Sequence, residues 1–197
     1  MRRALAARLA ISPSHRHTWS QVAARLCSGA AGQPCDLTGV FPPIVTPFRS
    51  DESVAYSELQ RNVARWSEQP LAGFLVHGSN GEFVYQSSGE RLAVLAAVRE
   101  SCPGDKLLLA GTGAESTLET IRQTEDMAAA GASAAVVVTP CYYKGRMSGA
   151  SLEAHYRAVA DSSPIPVVLY SVPANTGLDL PVEVAVRLAS HPNIAVS

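Results

Sequence analysis

From Gly39 onward, short apolar runs alternate with amphipathic stretches, the pattern of parallel strands linked by crossover helices. Five complete strand–helix units are predicted. The strands fall near residues 40–45, 74–76, 107–110, 134–138 and 167–170, and the helices near 56–67, 90–101, 117–130, 151–160 and 182–190. Ser116 followed three residues later by Glu119 predicts a capping box at the start of the third helix, with Gly131 closing its end. A sixth strand begins at Asn193-Ile194-Ala195-Val196, where the sequence stops.

Strands buried on both faces need helices outside them, which permits an open doubly wound sheet or a (β/α)8 barrel. A dinucleotide-binding sheet would carry G-x-G-x-x-G after its first strand, where this chain has Thr46-Pro47-Phe48. Gly111-Thr112-Gly113 lacks a third glycine at the required spacing and reads as a tight loop. The barrel is therefore the predicted fold. At five and a half βα units it is incomplete.

Composition divides the chain. The first 35 residues hold Arg2, Arg3, Arg8, Arg16 and Arg25 and no acid, whereas the remainder carries 11 basic and 17 acidic side chains. An Arg-rich, acid-free start with Leu5 and Leu9 one helical turn apart reads as a mitochondrial transit peptide, cleaved near Arg25-Leu26-Cys27-Ser28. A disordered basic tail is the plainer alternative. Residues 36–197 form the barrel domain, and the matrix is the expected address. No run approaches the roughly 18 apolar residues of a membrane span, so a soluble protein without a membrane partner is expected. The net charge of −1 gives no reason to expect a nucleic-acid partner. Cys27, Cys35, Cys102 and Cys141 form no C-x-x-C pair, and His15, His17, His77, His155 and His191 form no two-His helical motif, so neither metal nor cofactor is implied.

Candidate chemistry gathers where apolar runs end. Phe74-Leu75-Val76 leads into Gly78-Ser79-Asn80-Gly81-Glu82, whose backbone N–H groups and small polar side chains form an anion pocket. Two further runs deliver Thr139-Pro140-Cys141-Tyr142-Tyr143 and Tyr170-Ser171-Val172-Pro173-Ala174-Asn175-Thr176-Gly177. That rim is where barrel enzymes build their sites. His77 abuts the anion loop as an acid–base candidate, although a satisfied structural histidine is the plainer reading. Glu82 reads as a brace for its own loop. Cys141 has no His partner to make it a nucleophile, Lys144 reads as a solvated loop charge, and Lys106 lies at the opposite rim.

These segments, together with Gly39-Val40-Phe41-Pro42-Pro43-Ile44-Val45-Thr46-Pro47-Phe48, closely resemble the dihydrodipicolinate synthase and N-acetylneuraminate lyase family of Schiff-base aldolases. The resemblance spans Gly39 to the C-terminus. It implies a lyase acting on a small 2-oxo acid without a cofactor, and a homotetramer. It gives Ser79 and Asn80 the substrate carboxylate, Tyr170 the proton transfers, and Tyr142 a second place in that relay across a subunit contact. A tyrosine at a strand end suits this if neighbouring hydroxyls stabilise its anion. Rim packing is the alternative for Tyr142 and Tyr143. Ser-Asn, Cys-Tyr-Tyr and Pro-Ala-Asn-Thr-Gly are similar to members that split 4-hydroxy-2-oxoglutarate into pyruvate and glyoxylate. Dihydrodipicolinate synthases usually place an arginine for a second carboxylate where this chain has Asn175. A lyase of the dihydrodipicolinate synthase or N-acetylneuraminate lyase kind, or a non-catalytic partner of intact subunits, are the alternatives.

A Schiff-base aldolase needs a desolvated lysine amine. The resemblance places it in a Gly-x-Lys-Asp stretch after Pro-Asn-Ile, which by spacing from His191-Pro192-Asn193-Ile194 is position 198. The chain carries only Lys106 and Lys144 and ends in Ala195-Val196-Ser197. The expectation is a truncated form, from splicing or a misassembled gene, of doubtful activity by itself.

Overall fold

The computed structural model describes residues 35–195. The predicted transit peptide, apart from Cys35, and the last two residues lie outside them. Four strands form one sheet: β1 (Gly73–Val76), β2 (Leu107–Gly111), β3 (Ala134–Val138) and β4 (Val167–Tyr170). Every neighbouring pair is parallel, and the spatial order β1-β2-β3-β4 follows the chain. A doubly wound sheet would reverse its strand order at a switch point. Here the winding runs one way throughout, as in a (β/α)8 barrel, and the described residues form part of one.

The crossovers are α1 (Tyr56–Ser67), α2 (Ser88–Ser101), α3 (Thr117–Ala129), α4 (Gly149–Ser162), the short α5 (Pro173–Thr176) and α6 (Val182–Leu188). Alternation along the strands sends Phe74, Val76, Leu108, Ala110, Ala135, Val137 and Val167 to the helix side. There they meet residues such as Leu59, Val63, Leu95, Leu152, Val159 and Leu188. The opposite face carries Leu75, Leu109, Ala134, Val136, Val168 and Tyr170, packed with Leu37 and Phe41 and with no helix residue. This is the barrel interior, and it ends at the site. No helix among the described residues is long and apolar enough to cross a membrane.

The first predicted strand shrinks to one bridge. Residues 40–45 run beside β1, where Leu75 N–H donates to the Pro42 carbonyl and Ile44 N–H to the Leu75 carbonyl, both at 3.0 Å. Pro42, which faces β1, has no N–H to give, so the ladder is interrupted on the N-terminal side of this bridge. On the other edge, Ile194 bridges Val167, the beginning of the sixth strand.

Capping also differs from expectation. Ser116 Oγ accepts from Glu119 N–H at 3.1 Å, but the Glu119 carboxylate is taken by Ser88 Oγ and Gln123 Nε2, so only half of that box forms. The complete capping box starts α2. Ser87 N–H donates to Glu90 Oε2 at 2.9 Å while Glu90 N–H donates to Ser87 Oγ at 3.3 Å. Gly131 does close α3, at φ +100°.

Candidate active site

A cavity of about 590 Å³ opens at the C-terminal ends of the strands. Its walls come from the turn after β1, the β2–α3 loop, the segment after β3 and the segment containing α5, with Ser79, Phe83, Glu115, Thr139, Cys141 and Asn175 among them. The strands converge closely here. A Cβ on Gly111, at the end of β2, would stand 2.2 Å from the His77 carbonyl oxygen, so only glycine lets the two strand ends meet.

Ser79–Gly81 forms a single 3-10 turn immediately beyond β1. The first N–H groups of such a turn have no intrahelical partner, which leaves donors for an anion. The turn is held by its Gly81 carbonyl. Thr46 Oγ1 and Gln86 Nε2 each donate to that oxygen at 2.8 Å, and both residues are buried. Glu82, expected to brace this loop, is exposed at φ 53° and starts the next turn instead. The bracing falls to Thr46 and Gln86, two residues the sequence reading left unassigned.

Ser79 joins the segment after β1 to the segment after β4. Its Oγ lies 3.4 Å from Tyr170 Oη, at the end of β4, and accepts from Asn175 Nδ2 at 3.2 Å. Asn175 is presented by α5, which Thr176 anchors through Oγ1–H donation to the carbonyls of Val172 and Leu178. Gly177 ends α5 at φ +61°, where Lys144 Nζ would crowd any Cβ at 3.1 Å. Asn80 is exposed on the same turn as Ser79 but makes no part of this link. Tyr142 is 76% exposed and packs edge-on against Tyr143, with ring centroids 4.9 Å apart. The structure thus brings Ser79 and Tyr170 together and leaves Asn80 and Tyr142 apart from them.

Glu115 fixes the loop that carries Tyr142. Its carboxylate accepts from Cys141 N–H at 3.0 Å and from Tyr142 N–H at 2.9 Å. Burial first, and then this carboxylate, push the Cys141 thiol above its usual range, which disfavours a thiolate nucleophile. Cys35 and Cys102 are likewise free. Lys106 Nζ donates to the carbonyls of Gln69 and Leu71, at the start of the strands, and Lys144 is exposed.

Behind the Ser79–Gly81 turn lies His77, 2% exposed and at φ 62°, with neither ring nitrogen hydrogen-bonded among the described residues. The expectation of a satisfied structural histidine is therefore not met. Burial, and secondarily the nearby Arg91 guanidinium, push it down to about 3, so it is neutral at physiological pH. Arg91 is also buried. It donates to the Gly111 carbonyl at 2.7 Å, lies 5.1 Å over the Phe83 ring, and is drawn down to about 10 by desolvation.

Comparison with known proteins places these features in a lineage. Residues 36–196 match the dihydrodipicolinate synthetase family. A protein of Emericella nidulans named "Probable 4-hydroxy-2-oxoglutarate aldolase, mitochondrial" is 42% identical over 80% of this chain and 53% of its own. The 4-hydroxy-tetrahydrodipicolinate synthase of Stenotrophomonas maltophilia K279a is 44% identical over 80% of this chain and 52% of its own. The dihydrodipicolinate synthase of Acinetobacter baumannii, solved with pyruvate, superposes with a TM-score of 0.75 at 36% identity, over 80% of this chain and 53% of that one. The chain spans about half the length of the relatives it matches.

Proposed function

The chain belongs to the dihydrodipicolinate synthetase family, and on that premise we propose that it builds the carboxylate grip and proton relay of an aldolase that splits 4-hydroxy-2-oxoglutarate into pyruvate and glyoxylate. The observation that carries this reading is the link from Asn175 through Ser79 to Tyr170 at the mouth of the cavity. Ser79 and Asn80, on the anion turn, meet the carboxylate beside the substrate ketone. Tyr170 takes the proton of the 4-hydroxyl as the C3–C4 bond breaks, and returns a proton to the carbon that becomes the pyruvate methyl. Tyr142, held on the loop that Glu115 clamps, completes the relay from a neighbouring subunit. The bond-breaking electrons need an iminium as their sink, and neither Lys106 nor Lys144 stands where it could form one.

The 42% identity to a protein named as an aldolase for 4-hydroxy-2-oxoglutarate supports the choice of substrate. The 44% identity to a synthase supports the second reading, in which another 2-oxo acid is used. Exposed Val84 and Tyr85, and exposed Tyr142 and Tyr143, flank residues that line the cavity, which supports a homo-oligomeric contact at its mouth. The Arg-rich start and the name of the Emericella relative support a mitochondrial address.

The deciding experiment uses a version extended to the length of its relatives, with a lysine at position 198. Glyoxylate release from 4-hydroxy-2-oxoglutarate is measured beside 4-hydroxy-tetrahydrodipicolinate formation. Release exceeding formation by tenfold or more in kcat/KM supports the proposal. The reverse ratio overturns it.

A further inference from the structure

We propose that Asn175 is a positioning residue that sets the direction of the Ser79–Tyr170 hydrogen bond, so that Ser79 donates to Tyr170. The inference rests on the proposed proton relay but is tested without it. The Asn175 amide nitrogen has two protons and no lone pair to offer, so the 3.2 Å contact with Ser79 Oγ runs one way, from Asn175 to Ser79. The single Ser79 proton must go elsewhere. Among the described residues the other hydrogen-bonding group at Ser79 Oγ is Tyr170 Oη, 3.4 Å away.

Direction matters because of what Tyr170 must become. When Tyr170 gives its own proton to the substrate, the O–H bond breaks toward the acceptor and a phenolate remains, which is stabilised by a donor and destabilised by a lone pair aimed at it. Ser79 supplies that donor without transferring its proton. The arrangement holds only while Asn175 stays in place, and α5 secures it. Asn175 N–H donates to the Val172 carbonyl at 2.9 Å, and buried Thr176 ties the same turn to Val172 and Leu178. An aspartate at 175 would reverse the chain of donors, since a carboxylate accepts only and would draw the Ser79 proton away from Tyr170.

The test uses the 197-residue chain labelled with 13Cζ-tyrosine, without substrate. Six tyrosines give six resonances, and Tyr170→Phe identifies the one from Tyr170. Asn175→Leu and Asn175→Asp are each made in the parent chain and in a Ser79→Ala background. The expected result is that both substitutions move the Tyr170 resonance in the parent, Asn175→Asp further, and that neither moves it once Ser79 is alanine. Equal movement in the two backgrounds, or none in either, overturns the proposal. The other five resonances report folding. If Asn175→Leu disperses them, the near-isosteric Asn175→Asp pair decides alone. Because no turnover is read, failure of the aldolase assignment would leave this result standing, and the reverse.

Discussion

His77 offers the sharpest test of how this fold is held at the C-terminal ends of its strands. Its imidazole is held down to about 3 by burial and by Arg91, while an unfolded chain returns it to the ordinary value near 6.5. Between those limits the unfolded state binds a proton that the folded state refuses, so stability falls as pH falls through 6.5 and levels off near 3. Going from neutral pH to 4.5 crosses roughly two units of this window, which at about 1.4 kcal/mol per unit removes about 2.7 kcal/mol. That is a large share of the stability of an ordinary domain. His77→Leu has similar bulk, titrates nowhere, and removes two unpartnered ring nitrogens. Urea unfolding followed by tryptophan fluorescence at pH 7 and pH 4.5 supplies the four free energies. The parent is expected to lose about 2.7 kcal/mol more than His77→Leu on acidification, since every other titrating group contributes equally to both and cancels. Equal losses would show that the His77 ring is charged at little cost in the fold, and the reasoning from burial would be wrong.

Other outcomes follow from the same geometry. Incubating the 197-residue chain with pyruvate and borohydride is expected to give no mass increment, because Lys106 is bonded at the far rim and Lys144 is exposed; a reduced adduct on Lys144 would contradict this. Glu115→Ala removes the acceptor for two backbone N–H groups, so hydrogen exchange at Cys141 and Tyr142 should quicken by about tenfold, with unchanged rates excluding the clamp. In an extended version carrying the lysine, Tyr170→Phe should lower kcat by roughly 10² to 10⁴, and near-normal turnover would remove Tyr170 from the relay. There Asn80→Ala should raise KM alone, whereas Ser79→Ala should also lower kcat, because only Ser79 touches Tyr170. Residues 1–35 fused to a fluorescent reporter should direct it to mitochondria, and a diffuse signal would refute that address.

Much of the architecture was legible because strand and helix leave different periods in the chain. The strands at 74–76, 107–110, 134–138 and 167–170 and the helix starting at Tyr56 lie where the pattern predicts, since each buries a continuous apolar face. Residues 40–45 have the same apolar character but form a single bridge rather than a strand, because Pro42 faces β1 without the donor that a ladder needs. The capping box moved for a different reason. Ser-x-x-Glu occurs at both Ser87 and Ser116, and which glutamate turns back on its serine depends on tertiary competitors such as Ser88 and Gln123, which occupy Glu119. In the site, Ser79 and Tyr170 stand out as polar groups at strand ends. Thr46 and Glu115 do not, since each binds a backbone group of a distant segment, and Gln86 does not, since its bond to the Gly81 carbonyl follows no capping or helical spacing.

The contact between Ser79 and Tyr170 also bears on the shape of the sheet. Ser79 follows β1 and Tyr170 ends β4, with β2 and β3 between them. In a flat parallel sheet, strands three places apart would be separated by about 14 Å, at roughly 4.8 Å per pairing. A serine in the turn beyond one strand could not then come within 3.4 Å of a tyrosine hydroxyl on the other unless their ends leaned together. The interior face must therefore be concave, and the curl that brings β1 and β4 toward each other is the curl that closes a barrel. Fold and site are consequently one property in this protein. Flattening the sheet would part the Ser79 turn from Tyr170 before it disturbed any helix, so substitutions at small interior positions such as Ala134 reach that contact through curvature rather than directly.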